Sequence, residues 1–178
     1  MIYDHQNPRP KFYRREKVTT DEQWHLRFLS VARLISTWSK DPSTKVGAVI
    51  TDNLHRFVSL GYNGLAQGVP DKAEVWSDRE LKYEHVIHAE ENAMIFAQRS
   101  LRNCTLYTYP FPPCSRCASK FIQAGILRVV SVKPTENIYS RWQKSLDIAH
   151  WLYQQAGVQF LLYNHEDVLH DATSLVRR

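Results

Sequence analysis

Two cysteines three residues apart, Cys114 and Cys117, are the side chains of this sequence with the most evident chemistry. They follow two prolines in the segment PPCSRC and begin a helical pattern. Both thiols are therefore expected in the first turn of a helix, whose N-terminus favours the thiolate form. Such a pair can be a redox dithiol, half of a four-ligand structural zinc site, or two ligands of a catalytic zinc that keeps one position for water.

A histidine and a glutamate upstream favour the catalytic zinc. His88 opens the preceding helix and Glu90 follows two residues later. The pattern H-x-E followed by P-C-x-x-C is the signature of zinc-dependent nucleobase deaminases. Zinc held by His88, Cys114 and Cys117 would lower the pKa of a bound water toward neutrality. Glu90 is not needed as a ligand, so it could take the water proton, pass it to the ring and later protonate the leaving ammonia.

Two other residues of the same chemical types receive plainer interpretations. Cys104 begins a predicted buried strand, where a free cysteine behaves as a small apolar residue, so we predict core packing rather than zinc ligation. His85 lies three residues before His88, and we predict a loop histidine that faces the site entrance or solvent. We accordingly expect a three-ligand zinc site and not a closed four-ligand one.

The apolar pattern of the chain predicts an α/β fold. A hairpin of two strands is followed by helices that alternate with strands, which favours helices packed on a central mixed sheet. The connection 63–84 is polar and is expected to be a long functional loop. Trp24, Phe28, Val31, Ile35 and Trp38 are expected on the buried face of the first helix. The predicted helices are 20–39, 88–100, 114–124 and 138–156, and the predicted strands are 45–50, 56–62, 104–109, 126–132 and 158–163.

The organisation and composition indicate one globular domain. We expect an N-terminal arm over 1–18, a domain over 19–164 and a C-terminal tail over 165–178. Three cysteines are too few for a disulfide framework, no apolar signal core begins the chain, and no run is long enough for a membrane helix. We therefore predict a cytoplasmic protein without membrane contact. The net charge of +5 favours either solvated ends or an anionic partner.

Five segments of the sequence together resemble the deoxycytidylate (dCMP) deaminases of the cytidine deaminase-like superfamily. The resemblance implies a three-layer α/β/α sandwich with a central mixed five-stranded sheet. It also implies zinc-dependent hydrolysis of dCMP to dUMP and ammonia, which supplies the thymidylate precursor, and a homo-oligomer that is often a hexamer. The segments are DPSTKVGAVI (41–50), GYNG (61–64), HAEENA (88–93), PPCSRCASKFIQAGI (112–126) and QQAGVQF (154–160).

The resemblance also implies roles for residues that bind the substrate. Asn63 would bond the sugar hydroxyl, and the carbonyl of Ala89 would accept from the exocyclic amine. The backbone N–H of Cys114 would help to hold the zinc-bound oxygen. Such buried polar partners reject a base that lacks the matching groups.

Three further residues are candidate substrate contacts. Lys45 is a candidate phosphate contact at a strand start. Tyr107 and Tyr109 share one face of a strand that approaches the zinc, so one of them could line the base pocket.

Members of this family are often regulated by dCTP and dTTP. The resemblance places the possible effector site near GYNG, with Gly61, Asn63 and Gly64 as its candidate residues.

Other functions stay open at the level of sequence. The enzyme could act on dCTP, on a 5-substituted dCMP or on a base in a polynucleotide. The last would use basic and aromatic groups around the pocket, for which the basic arm 11–17 is the only support. A noncatalytic zinc module that binds nucleotide or nucleic acid is the alternative from another class, and it would not need Glu90. We expect a nucleotide substrate and no nucleic acid partner.

Overall fold

The computed structural model describes residues 20–176, and the side chains of 20–170. The predicted arm over 1–18 lies outside this range. The elements follow one another along the chain as a helix, a hairpin, three helices and then alternating strands and helices. They are α1 (Thr20–Ser36), β1 (Gly47–Thr51), β2 (Phe57–Tyr62), α2 (Ala73–Ser77), α3 (Arg79–His85), α4 (Ala89–Ala97), β3 (Thr105–Tyr109), α5 (Ser115–Ala124), β4 (Arg128–Val132), α6 (Glu136–Ala156), β5 (Gln159–Tyr163) and α7 (His165–Val176).

The five strands form one mixed sheet in the order β2-β1-β3-β4-β5. Strand β1 pairs antiparallel with both β2 and β3, while β3, β4 and β5 are parallel. The parallel strands are connected through α5 and α6, as parallel connections require. The mixed sheet predicted from the hairpin and the alternation is confirmed.

Helices cover both faces of the sheet, which confirms the three-layer sandwich. Helix α1 contacts β1 and β3 and packs with α7 on one face, and α4, α5 and α6 lie on the other. The alternation of side chains along β3 shows the division. Leu106 packs into the core under α4 to α6, whereas Tyr107 packs into the core under α1.

Two segments expected to be irregular are helical. The connection 63–84 contains α2 and most of α3, so the predicted long loop is wrong. The predicted tail over 165–178 is largely α7, whose Val168 is fully buried against α1, so this segment belongs to the domain. Helices α2 and α3 are short and α7 carries closely spaced polar residues, so the stability of all three comes from packing that local sequence does not reveal.

One side chain of the predicted apolar face of α1 is exposed, while Trp24 and Val31 are half-buried and the other two are buried. Trp38 lies beyond the helix end at Ser36 and is 54% exposed, although its ring contacts that of Tyr62 edge-on at 6.2 Å. The helical periodicity ends before Trp38, so the prediction that it joins the core is wrong.

Two glycines allow helices to approach the sheet closely. A Cβ on Gly47 would lie 2.0 Å from the carbonyl oxygen of Ala32 in α1. A Cβ on Gly61 would lie 2.2 Å from the carbonyl oxygen of Ala89 and 2.4 Å from the amide nitrogen of Ala93, both in α4. The backbone of α4 therefore rests directly on β2.

A buried histidine supports the opposite face of the sheet. His25 of α1 is 4% exposed, and its Nδ1 lies 3.0 Å from the hydroxyl of Tyr107. Burial lowers the pKa of His25 to about 4, so the imidazole that shares this hydrogen bond with the Tyr107 hydroxyl is neutral.

Within residues 20–176, no helix combines the length and the apolar character needed to cross a bilayer.

We expect Gly61→Ala to destabilise the fold by about 3 kcal/mol or more, since the added methyl overlaps backbone atoms that cannot rotate away. Gly64→Ala is the control from the same segment, because a Cβ there meets only a Tyr62 ring carbon at 3.9 Å. Chemical denaturation of the two variants measures the difference. Equal stability of both would contradict the close packing of α4 on β2.

We expect His25 to make the free energy of unfolding depend on pH. The folded pKa of about 4 lies below the ordinary 6.5, so the unfolded chain binds the proton first. The stabilisation is complete above pH 6.5 and is lost as the pH falls toward 4, by roughly 3 kcal/mol at most. Denaturation of His25→Gln should show a shallower loss over this range, whereas exposed His85→Gln should behave as the wild type. An unchanged slope in His25→Gln would contradict the assignment.

Candidate active site

Three metal-binding side chains meet where two helices begin. His88 is the N-cap residue of α4, Cys114 is the N-cap residue of α5, and Cys117 lies in the first turn of α5. The Nδ1 of His88 lies 3.6 Å from the sulfur of Cys114 and 3.3 Å from that of Cys117. All three donor atoms lie within 4.8 Å of one another.

These distances suit a tetrahedral zinc. Zinc–nitrogen bonds of about 2.0–2.1 Å and zinc–sulfur bonds of about 2.3 Å, at a tetrahedral angle, separate nitrogen from sulfur by about 3.6 Å. Cys104 is buried in the apolar core and is not part of the cluster, as predicted for a packing residue. The set therefore offers three protein ligands, the number typical of catalytic zinc.

The protonation of the three groups also suits a divalent cation. The Cys117 thiol hydrogen-bonds to Cys114, which lowers the pKa of Cys114 and raises that of Cys117. The bond with Cys114 raises the pKa of His88 to about 9. Two thiols and an imidazole thus compete for protons at short range, and a cation resolves the competition by binding both sulfurs as thiolates.

Glu90 lies beside this cluster with its carboxyl buried. The residue is 4% exposed, and burial raises its pKa to about 7. It lines the same pocket as His88 and Cys114. A carboxyl with a pKa near neutrality can both accept and release a proton under physiological conditions.

A second glutamate holds the two helix starts together. The carboxylate of Glu91 accepts from the backbone N–H of His88 at 3.3 Å, which closes a capping box at the start of α4. It also forms an ion pair with Lys120 of α5. Glu91 therefore ties α4, which carries the histidine, to α5, which carries the cysteines.

The pocket in front of the cluster is walled by aromatic and charged residues. Phe111 and Trp142 form the apolar wall, with ring centroids 6.1 Å apart. Lys82 and Arg141 bring two cations to the same pocket. Neither cation was predicted from the sequence. Helices α3 and α6 carry many charged residues, and no sequence spacing distinguishes the two that face the site.

Lys82 is held by the segment that precedes β1. Its ammonium donates to Asp41 at 2.9 Å, with only 13% and 4% of the two side chains exposed, and it also bonds the hydroxyl of Ser43. Burial alone would raise the pKa of Asp41, but the bonds from Lys82 and Ser43 hold it below its usual value. The Asp41 carboxylate therefore stays charged beside Lys82 at the pocket wall.

Asn63 lines the pocket, and its side chain is occupied by the protein itself. The amide nitrogen donates to Asp41 Oδ2 at 3.2 Å and to the Thr44 carbonyl at 3.0 Å. Its Oδ1 accepts from the backbone N–H of Val46 at 2.7 Å. Both donors are used, so only one remaining lone pair of Oδ1 is available to a sugar hydroxyl.

The other predicted substrate contacts are placed differently from expectation. Lys45 is exposed and does not line the pocket. Tyr107 bonds His25 and Tyr109 lies 3.3 Å from His165 Nδ1, on the α1 face of the sheet. The pocket is on the other face, so neither tyrosine lines it. The period of two along β3 puts Leu106 and Thr108, not the tyrosines, toward the zinc helices.

The backbone groups of Ala89 and Cys114 reach the pocket because both residues lie at helix starts. Ala89 lines the pocket, but its carbonyl oxygen lies against Gly61, which disfavours the predicted bond from the exocyclic amine. A helix start leaves its first N–H groups without intrahelical partners, so the amide of Ala89 is the group better placed for a ligand. Cys114 also lines the pocket. His85 ends α3, is exposed and bonds the Leu81 carbonyl at 2.7 Å.

The candidate effector residues are mostly used by the fold. Gly61 and Asn63 are buried, and Gly64 pairs with Ile87 through two backbone hydrogen bonds of 3.1 and 2.9 Å. Tyr62 is the exposed side chain of this segment.

Comparison with known proteins agrees with this site. Residues 22–133 match the model for the cytidine and deoxycytidylate deaminase zinc-binding region. A deaminase from Aliivibrio fischeri is 46% identical over 77% of this chain and 91% of its own length. The human deoxycytidylate deaminase is 33% identical over 78% of each chain. The crystal structure of a cyanophage dCMP deaminase in complex with dCMP and dUMP has a TM-score of 0.61 at 24% identity, over 77% of this chain and 94% of its own, which shows the same fold. As its motifs predicted, the chain belongs to the family of zinc-dependent cytidine and deoxycytidylate deaminases.

Proposed function

We propose that this protein hydrolyses dCMP to dUMP and ammonia. The observation that carries the proposal is a single pocket that joins the zinc ligands His88 and Cys114, the buried carboxyl of Glu90, and the cations Lys82 and Arg141. The first three suit deamination, and the cations suit a substrate that carries a phosphate. The deoxycytidylate deaminases among the relatives support the same substrate.

The chemistry divides between zinc and the residues of the chain. His88, Cys114 and Cys117 would hold the zinc, which when bound would make a water acidic enough to supply a nucleophile near neutral pH. Glu90 accepts one proton from the water and delivers it to N3 of the pyrimidine. A bond forms between the water oxygen and C4, the bond from C4 to the amino nitrogen breaks, and Glu90 transfers a second water-derived proton to the departing ammonia.

The pocket walls support this chemistry by excluding bulk water. Phe111 is 8% exposed, and Trp142 lies beside it with the rings inclined by 30°. Flat apolar surfaces of this kind suit the face of a pyrimidine. The low polarity also raises the pKa of Glu90, because the charged carboxylate is poorly solvated there.

The charged side of the pocket supports a phosphorylated substrate. Lys82 is already paired with Asp41, so Arg141 supplies the excess positive charge. The Nε of Arg141 donates to the Asn137 carbonyl at 3.2 Å, which leaves the terminal nitrogens of the guanidinium for a ligand. Ser43 and Thr44 add hydroxyl groups at the same wall. We assign the phosphate to this cluster and not to Lys45.

Assembly, regulation and location are part of the proposal. We infer a homo-oligomer, with the hexamer common in the family as the expected order, and regulation by dCTP and dTTP near residues 61–64. Tyr62 is the exposed side chain there, so it is the candidate contact for an effector base. We place the activity in the cytoplasm, as expected for a chain whose three cysteines are free.

Glu90→Gln should lower the turnover of dCMP at least ~10³-fold while one zinc per chain is retained, because the amide cannot move protons. Cys117→Ser should instead lose zinc and activity together. Exposed Glu84→Gln is the control and should turn over dCMP normally. Ammonia release and metal content of the purified proteins measure both effects. Normal turnover by Glu90→Gln would contradict the acid–base role, and the absence of turnover in the zinc-loaded wild type would favour a noncatalytic zinc module.

Arg141→Gln should raise KM for dCMP roughly 10- to 100-fold, as expected for one charge-assisted bond. The kcat/KM for deoxycytidine, which lacks the phosphate, should stay unchanged. Lys144→Gln removes a cation one turn further along α6 and is the matched control. Kinetics with dCMP, deoxycytidine, dCTP and a single-stranded oligonucleotide check both the site and the substrate. Equal loss with dCMP and deoxycytidine, or preference for the oligonucleotide, would contradict the assignment.

A further inference from the structure

The turn that leads into helix α5 has few backbone groups by which it can be held. Residues 109–115, here called the cysteine turn, read YPFPPCS and contain three prolines. Proline has no backbone N–H, fixes its own φ angle and restricts the residue before it. The cysteine turn is therefore stiff along its length, and it must be anchored through its carbonyl groups and through the N–H groups at its ends.

A buried hydroxyl of strand β3 anchors the first half of the cysteine turn. Thr108 is fully buried, and its Oγ1 donates to the carbonyl of Phe111 at 3.0 Å. The Oγ of Ser131, its register partner on β4, lies 2.9 Å from Thr108 Oγ1 and donates to the Thr108 carbonyl at 3.0 Å. A hydroxyl in an apolar core costs free energy unless it is bonded, and Thr108 meets this requirement by binding the turn.

The second half of the cysteine turn is anchored from helix α6. The backbone N–H of Ser115 donates to Ser145 Oγ at 3.0 Å, and the two hydroxyl oxygens are also 3.0 Å apart. Ser115 is the first residue of α5, so this N–H is one of those that a helix leaves without an intrahelical partner. Ser145 therefore caps α5 from a different helix.

The use of an outside cap follows from the residue at the N-cap position. Oxygen side chains normally bond the exposed N–H groups of their own helix, as Asp78 does for α3 and Thr135 for α6. The N-cap residue of α5 is Cys114, and within the described chain its side chain caps no N–H of α5. Its sulfur instead lies 3.6 Å from the Nδ1 of His88. Capping by Ser145 thus leaves the sulfur free for a metal.

The two anchors lie on either side of Cys114. Thr108 bonds the residue three positions before the cysteine, and Ser145 bonds the residue directly after it. Between the first anchor and the cysteine, residues 112–113 are both prolines, so this connection bends little. A shift at either anchor would therefore move the sulfur, and a shift at the first would also move the Phe111 ring at the pocket wall.

We propose that Thr108 and Ser145 are positioning residues for the zinc site, which hold the sulfur of Cys114 where the metal binds. The Thr108 bond also sets the Phe111 ring against which the pyrimidine lies, and this second part rests on the proposed function. Neither anchor is among the described residues that line the active-site pocket, so each acts through the backbone of the cysteine turn.

The test measures how fast the zinc-loaded full chain releases its metal to an excess of chelator. Groups that orient metal ligands commonly change metal affinity roughly 10- to 100-fold, and we expect release faster by about this factor from Thr108→Val and from Ser145→Ala. Thr108→Ser and Ser145→Thr keep a hydroxyl and should release zinc as the wild type does. The matched controls are Thr105→Val at the opposite end of β3 and Ser140→Ala on the exposed side of α6, which should also match the wild type.

Hydrogen exchange and kinetics show whether the effect acts through the cysteine turn. The Ser115 amide should exchange faster in Ser145→Ala and at the wild-type rate in Ser145→Thr. In Thr108→Val, kcat/KM should fall by the same factor for dCMP and for deoxycytidine, because the phosphate contact at Arg141 is unchanged. Thermal unfolding verifies that each variant is folded, and half-buried Ser145 provides a test even if Thr108→Val fails to fold.

Two results would overturn the proposal. Wild-type zinc release from Thr108→Val or from Ser145→Ala would overturn the role of that anchor. Release from Thr105→Val as fast as from Thr108→Val would overturn it as well, because a general loss of stability would then explain the effect. Zinc release needs no substrate, so its failure is distinct from a failure of the dCMP assignment.

Discussion

The direct contact between the backbone of α4 and strand β2 is the constraint on which the site depends. At Gly61 the two backbones approach so closely that even a methyl group has no room. This contact fixes the start of α4, and with it His88 and Glu90. Since α5 follows β3, which is separated from β2 only by β1, the start of α5 reaches the same place and brings Cys114 and Cys117 to the histidine. A zinc site of three ligands needs this convergence of two helix starts.

The sheet separates two tasks. On the face of α4, α5 and α6 lie the zinc ligands, the acid–base glutamate and the charged wall of the pocket. On the face of α1 and α7, His25 and Tyr107 close a core with no part in the chemistry. Because packing on the α1 face stabilises the fold, the opposite face can hold the buried carboxyl of Glu90 and the buried ion pair of Lys82 and Asp41 at the pocket. Such groups cost free energy unless their bonds are complete.

Asn63 links the end of strand β2 to the charged wall of the pocket. Its side chain joins the end of β2 to the segment before β1 and contacts Asp41, which in turn fixes Lys82. The position of a cation in the pocket thus depends on an amide whose bonds are almost all internal.

Local pattern was enough to predict part of this protein. The zinc ligands and Glu90 lie at helix starts with spacing that few other functions require, and alternation of strands and helices determined the mixed sheet and its layers. The ends of most elements were correct to within a few residues, because glycines such as Gly125 and Gly157 stop the helices.

Features that depend on contacts between residues far apart in the sequence were decided by the tertiary structure. Local sequence does not distinguish Lys45 from Lys82. Lys82 lies in the pocket wall because it bonds Asp41 and Ser43, and Lys45 does not. Tyr107 and Tyr109 were known to share a face, but which face depends on where α1 packs. Helix α7 is stabilised by α1, about 140 residues earlier in the chain, so no local signal could predict it. The sequence by itself determined the reactive groups, since their chemistry and spacing are local, and the fold decided which charged and aromatic groups surround them, since packing is not.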